Sequence, residues 1–227
     1  MKIISWNCNL KFAKKFEALE SFCPDICFIQ ECEDLPIDFF PDYQYFWTGR
    51  NAKKGLGILT KDKTASVNKS HNAKLINFLP VNSHGINLLG IWAYNHRAIR
   101  FGSEFNGNTI DAIGFYRSWL QESDQAIVAG DFNNSVIWDK ANNRNNFVEI
   151  NSHLEDVKFK SLYHHLTKET FGEEGKGTLF HTKNESKKYH IDYIYSKGID
   201  GISLDIGSYN DWIKLSDHVP LFSIFNT

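Results

Sequence analysis

The chain has 227 residues, with 25 Lys and Arg against 27 Asp and Glu for a formal charge of −2, and it is 42% hydrophobic and 15% aromatic. This balance excludes a disordered or low-complexity chain and speaks against a strongly basic nucleic-acid binder. A single domain over 1–227 is expected, because one mixed core commonly runs past about 200 residues.

No run of about 18 apolar residues occurs, and only four uncharged residues separate Lys2 from Asn7, too few for a secretory h-region. A cytoplasmic monomer with no membrane partner is expected. Cys8, Cys23, Cys27 and Cys32 are irregularly spaced with no CxxC pair, which favours thiols packed in the core over a zinc site. Net charge leaves a polyanionic substrate open: with four carboxylates set aside at a metal, 25 positive charges face 23 negative ones.

In chain order, Lys2–Asn7 reads as a strand. Phe12, Phe16, Leu19 and Phe22 then recur at helical spacing, predicting a helix over Phe12–Phe22 that Cys23-Pro24-Asp25 stops. Ile26–Ile29 is a short apolar strand closed by Gln30-Glu31. Between residues 43 and 93 the segments YQYFW, GLGILT, KLINFLPV and NLLGIWA follow one another without helices, which implies antiparallel sheet. Thr109 starts a helix through Glu122, and Ala126–Ala129 is a strand running into Gly130-Asp131. A further helix is expected near Asn146–Val157, and strands at YHIDYIYS and VPLFSIF complete the chain. Many strands, few helices and abundant rings point to an α/β sandwich of two mixed sheets with helices on the outer faces.

Several strands finish on ionisable or amide side chains. Asn7 ends the first, Gln30-Glu31 the second, Asp131 and Asn133 follow AIVAG, Asp192 lies in HIDYIY, and Ser216-Asp217-His218 precedes VPLFSIF. Any one of these alone reads as a surface residue or an Asx turn. Their joint occurrence against strand boundaries points to one acidic rim. Carboxylates gathered there repel each other unless a cation sits among them, and Mg²⁺ suits oxygen ligands with substrate phosphate. A neutral imidazole oriented by a carboxylate can deprotonate water, so metal-assisted phosphoester hydrolysis is the chemistry expected.

The motifs SWNCN, IQE, GDFN, HIDYI and SDHVPL, spread from residue 5 to residue 221, resemble the signature series of the endonuclease/exonuclease/phosphatase superfamily, the deoxyribonuclease I-like and exonuclease III-like phosphoesterases. The resemblance implies a four-layered α/β/β/α sandwich with the site at one edge of the paired sheets. It implies that Asn7 and Glu31 bind Mg²⁺ or Mn²⁺, and that Asp131 with Asn133 aligns or activates the attacking water. Asp192 would orient His218, a candidate base and phosphate contact, while Asp217 would complete the acidic rim or a second metal position. Which of Asp131 and His218 takes the proton is left open. Two positions depart from the pattern: Asn9 stands where relatives similar to exonuclease III carry an acid, and Trp92 where members place His or Tyr, with Tyr94 and His96 just beyond as possible substitutes.

Basic clusters at Lys11, Lys14 and Lys15, at Arg50, Lys53 and Lys54, at Arg97 and Arg100, and at Lys183, Lys187 and Lys188 could grip a polyanion. Trp47, Trp138, Phe180, Tyr189 and Trp212 could stack on bases. Together these favour a DNA phosphodiesterase, with RNA open. A phosphatase or phosphodiesterase acting on a small phosphorylated molecule or lipid headgroup is the alternative, and a catalytically idle binding module is a third reading.

Overall fold

The computed structural model describes residues 1–226 apart from 94–98, 102, 103, 107, 108, 142 and 144. Neighbouring residues of its central strands point into different cores, and that two-sided burial sets the layering. In Lys2–Asn7, Ile3 packs with Ile26, Phe28 and Ile58 towards the opposite sheet, whereas Ile4 and Trp6 face Phe12, Leu19 and Phe40 on the outside. In Ala126–Asp131, Ile127 and Ala129 join the shared core, while Ala126 and Val128 face the helices Thr109–Glu122 and Phe147–Glu155. Three cores thus separate four layers, the mixed α/β sandwich expected. At Gly90 a Cβ would lie 3.2 Å from the Ile58 side chain, so the two sheets approach closely where that residue has no side chain.

One sheet runs Gly201–Ile206, Leu221–Phe225, Lys2–Asn7, Ile26–Cys32, Lys54–Thr60, Gln44–Asn51, and the other Lys160–Ser161, Asp192–Lys197, Ala126–Asp131, Ile86–Trp92, Phe78–Ser83, Ser66–Val67. Among the described residues each has one parallel pair at its centre, Lys2–Asn7 with Ile26–Cys32 and Ile86–Trp92 with Ala126–Asp131. All other pairings in these sheets are antiparallel. Registers Asn7↔Gln30 and Asp131↔Trp92 place the carboxyl ends of the four parallel strands in two adjacent rows. Such ends are where open α/β sheets build sites, because chain leaving a rigid strand delivers side chains beyond the core.

The expected helix over Phe12–Phe22 is instead a 3₁₀ turn, Phe12–Lys14, and one α turn, Glu17–Glu20. The amides of Lys15, Ala18 and Leu19 bond carbonyls three residues back rather than four. Two tertiary demands win over the helical period. The Lys15 ammonium turns inward to donate to Cys8 O, Asn9 O and Leu215 O, and Phe12 and Phe16 pack edge-on and tilted against each other and Phe40. The strand Gly201–Ile206 and the short helices Leu162–Thr167 and Tyr209–Trp212 were not expected. Cys8, Cys27 and Cys32 are buried free thiols, and Cys23 is exposed. No described helix is long and apolar enough to cross a membrane.

Candidate active site

Gly130 lets the central strand of the second sheet turn out of the core. Its φ is 146°, and a Cβ there would fall 1.8 Å from Ile91 O, so the position admits no side chain without displacing the adjacent strand. Asp131 follows, fully buried, while Phe132 turns back among Tyr193, Tyr195 and Phe147. Asn7 crosses from the other sheet: its Nδ2 donates to Asp131 Oδ2 at 2.9 Å. The Asn133 backbone N–H donates to Asp131 Oδ1 at 2.8 Å, and its Nδ2 reaches Asp131 Oδ2 at 3.1 Å and Ala93 O at 2.8 Å. Three amide donors therefore fix one carboxylate in place.

His218 arrives from the segment before the last strand. Its Nδ1 lies 2.9 Å from Asp192 Oδ2, and Asp192 stands directly across the ladder from Asp131. The support is dense. Ser216 Oγ donates to Asn7 O and accepts from the His218 amide, Trp6 Nε1 donates to His218 O, and Thr178 Oγ1 accepts from the amides of Ile191 and Asp192. Thr178 has no sequence signal of its own; the pairing of Leu179 with His218 and backbone hydrogen bonds to Tyr189 and Val219 bring it there.

Electrostatics separate the two titrating partners. Burial, then the neighbouring Asp192 carboxylate, push Asp131 up to about 7 against the hydrogen bonds that favour its charge. Burial opposes the charge on His218, but the carboxylates of Asp192 and Asp131 outweigh it and lift the imidazole to about 10. The site thus pairs a carboxylate that titrates near neutrality with an imidazole that stays protonated.

Glu31 sits at a β-bulge between Gln30 and Cys32 in the left-handed region, φ 59°, with its carboxylate 2.9 Å from Lys54 Nζ. Asn9 and Asn133 are also left-handed, φ 49° and 47°, so three polar rim residues hold backbone conformations that non-glycine residues rarely adopt. Asn9 Nδ2 donates to Asp217 Oδ1 at 3.0 Å, so the position that departs from the family pattern gives Asp217 a donor in place of a like charge. Trp92 is buried, with Lys54 Nζ 5.2 Å from its ring centre. Trp212 is half-buried, edge-on to Trp6 at 5.2 Å. Tyr94 and His96 lie outside the described residues.

A hard divalent cation fits this edge. Asp192 Oδ1 is buried with no hydrogen-bond partner, and it belongs with Asp131 and His218 to a cluster whose candidate ligand atoms fall within 4.8 Å of one another, in which the two carboxylates, and not the protonated ring, have lone pairs to offer. Two buried carboxylates share one imidazolium, and the donors offered nearby by Glu31, Asn7 and Asp217 are oxygens.

The comparisons with known proteins agree with this fold. Over the full length of both chains, the structure is similar to a 3′-5′ exonuclease from Neisseria meningitidis at 15% identity and TM-score 0.76. It is equally coextensive with a 3′ phosphatase from Neisseria bound to product DNA hairpin, at 14% and 0.77, and with an AP endonuclease from Archaeoglobus fulgidus, at 15% and 0.71. At such identities the likeness speaks for the fold. The model of the Endonuclease/Exonuclease/phosphatase family matches residues 4–218, a span that opens in the first strand and closes on the histidine bound to Asp192. On that match the chain belongs to the endonuclease/exonuclease/phosphatase family, and it is a phosphoester hydrolase.

Proposed function

We propose that the protein, acting as one domain over 1–227, is a Mg²⁺- or Mn²⁺-dependent nuclease that hydrolyses phosphodiester bonds in DNA. The observation that carries the mechanism is the Asn7–Asp131 hydrogen bond, which joins the carboxyl ends of the two sheets and aims a pre-oriented carboxylate at the rim. Asp131 takes the proton from the attacking water, because its affinity near pH 7 matches a general base. Asn7 and Asn133 hold the carboxylate still. His218, kept charged by Asp192, binds the phosphate and stabilises the negative charge that grows on its oxygens. Glu31 and Asn7 would hold the cation, which supplies Lewis acidity and neutralises the phosphate. Asp217, tied to Asn9, closes the acidic rim. Trp212, which packs edge-on to Trp6, would contribute to substrate binding, as would Tyr94 and His96.

DNA is the preferred substrate because the coextensive relatives include an exonuclease, an AP endonuclease and a phosphatase bound to a DNA hairpin. The phosphatase among them supports a second reading, hydrolysis of a phosphomonoester. The test incubates purified protein with Mg²⁺ or Mn²⁺ and abasic duplex, single-stranded DNA, 3′-phosphorylated DNA, RNA and inositol phosphates, with Asp131→Asn as control. Cleavage that persists in EDTA and in the variant refutes the mechanism; turnover of monoesters alone refutes the nuclease assignment while leaving the chemistry intact.

A further inference from the structure

The residue assigned to the cation already has a cationic partner. Lys54 Nζ lies 2.9 Å from Glu31 Oε2 and 5.2 Å from the centre of the Trp92 ring. Three separate strands converge here. Lys54 opens Lys54–Thr60, one place before Gly55, which pairs with Cys32 across the bulge that carries Glu31. Trp92 closes Ile86–Trp92 and stands in register with Asp131. Lys54 is therefore held at the edge of the catalytic carboxylates, on the first sheet side, with its Nζ between a carboxylate and a π face.

Neither contact fixes the ammonium permanently. Both partners keep some solvent access, with side-chain exposures of 36% for Lys54 and 18% for Glu31, so the ion pair is weak enough to exchange. A divalent cation on Glu31 would repel the ammonium and take over the carboxylate it pairs with. The Trp92 ring would still attract it, because a cation over an indole face is stabilised without a counter-charge. Lys54 would then keep its place over Trp92, the residue in register with Asp131, as a cation at the strand end where an anionic ligand is expected.

We propose that Lys54 competes with the divalent cation for Glu31 and, once displaced, binds the substrate phosphate from its seat on Trp92. The proposal rests on the metal-dependent reading of the site. It also gives Trp92 a role suited to an indole, which can seat a cation but cannot shuttle a proton. In this scheme metal and phosphate bind cooperatively, since each favours the displaced position of Lys54.

The experiment needs no turnover. Metal-free full-length protein is titrated with Mn²⁺ and followed by electron paramagnetic resonance; inorganic phosphate is then titrated into the Mn²⁺-loaded protein by calorimetry. Lys54→Met removes the charge at similar length and Lys54→Arg keeps it. Lys54→Met should bind Mn²⁺ at least fivefold more tightly and phosphate at least tenfold more weakly, with Lys54→Arg within threefold of the parent in both. Unchanged Mn²⁺ affinity in Lys54→Met overturns the competition, and undiminished phosphate binding overturns the second half of the proposal. If Lys54→Met folds poorly, Lys54→Gln carries the same expectations. Glu31→Gln separates the two levels: Mn²⁺ affinity that survives this change refutes the metal assignment itself, whereas its loss alongside unaltered Lys54 variants refutes Lys54 alone.

Discussion

Asp192→Asn isolates charge from position. The amide oxygen can still accept from His218 Nδ1, so the ring stays oriented while the negative charge 2.9 Å away disappears. Coulomb's law at that separation, with an effective dielectric of about 20, gives roughly 6 kcal/mol, the equivalent of about 4 pH units. Burial, which works against the imidazolium, is unchanged. The His218 midpoint should therefore fall from about 10 to below its ordinary value of 6.5, leaving the ring neutral under assay conditions. Asp131 loses its like-charged neighbour in the same step and should ionise at lower pH than the parent's value of about 7. Titration of the His218 ring protons by NMR, in metal-free parent and variant, reads both the size and the sign. Turnover at pH 7.5 should drop about 100-fold or more, in line with loss of a preorganised charge at the phosphate. A His218 midpoint that stays above 9 in the variant would refute the claim that Asp192 keeps the imidazole charged.

Four further outcomes are expected. Asp131→Asn should lower kcat by about 1000-fold or more, as steady-state kinetics can show. Glu31→Gln should weaken Mn²⁺ binding at least tenfold, and EDTA should abolish parent activity until Mg²⁺ or Mn²⁺ is restored. Gly130→Ala forces a Cβ to within 1.8 Å of Ile91 O, so a loss of more than about 2 kcal/mol in urea unfolding is expected; an unaltered midpoint would mean the strand turns without it. Finally, His218 binds its proton more tightly folded than unfolded. The stability it adds over His218→Gln in the metal-free protein should be complete below pH 6.5 and disappear as pH rises through about 10.

What the sequence made legible was the set of strand-end residues. Asn7, Asp131, Asn133, Asp192, Asp217 and His218 sit within a few residues of apolar runs, and short-range order along the chain is enough to find them. The two-sided burial of the central strands was legible for the same reason, since continuous apolar runs such as ICFI need a core on each face. What stayed hidden depends on distant chain. The pairing of Lys54 with Glu31 follows from a bulge and a register between non-consecutive strands, so Lys54 looked like one member of a basic cluster. The inward turn of Lys15 needs carbonyls from residues 8, 9 and 215, and no local periodicity announces it. Gly201–Ile206 is an edge strand with Ile202 60% exposed, so its alternation lacks the contrast that marks a buried strand.

The strand Leu221–Phe225 lies between Lys2–Asn7 and Gly201–Ile206, and His218 stands three residues before its start. During translation the first strand therefore waits for one of its two neighbours until more than 200 further residues have left the ribosome. A nascent chain stalled before residue 218 has Asn7 and Asp131 but not His218, and its first sheet carries an open edge. Because His218 comes shortly before that strand, the candidate site is complete only once the chain has been made through the residues that also close the first sheet.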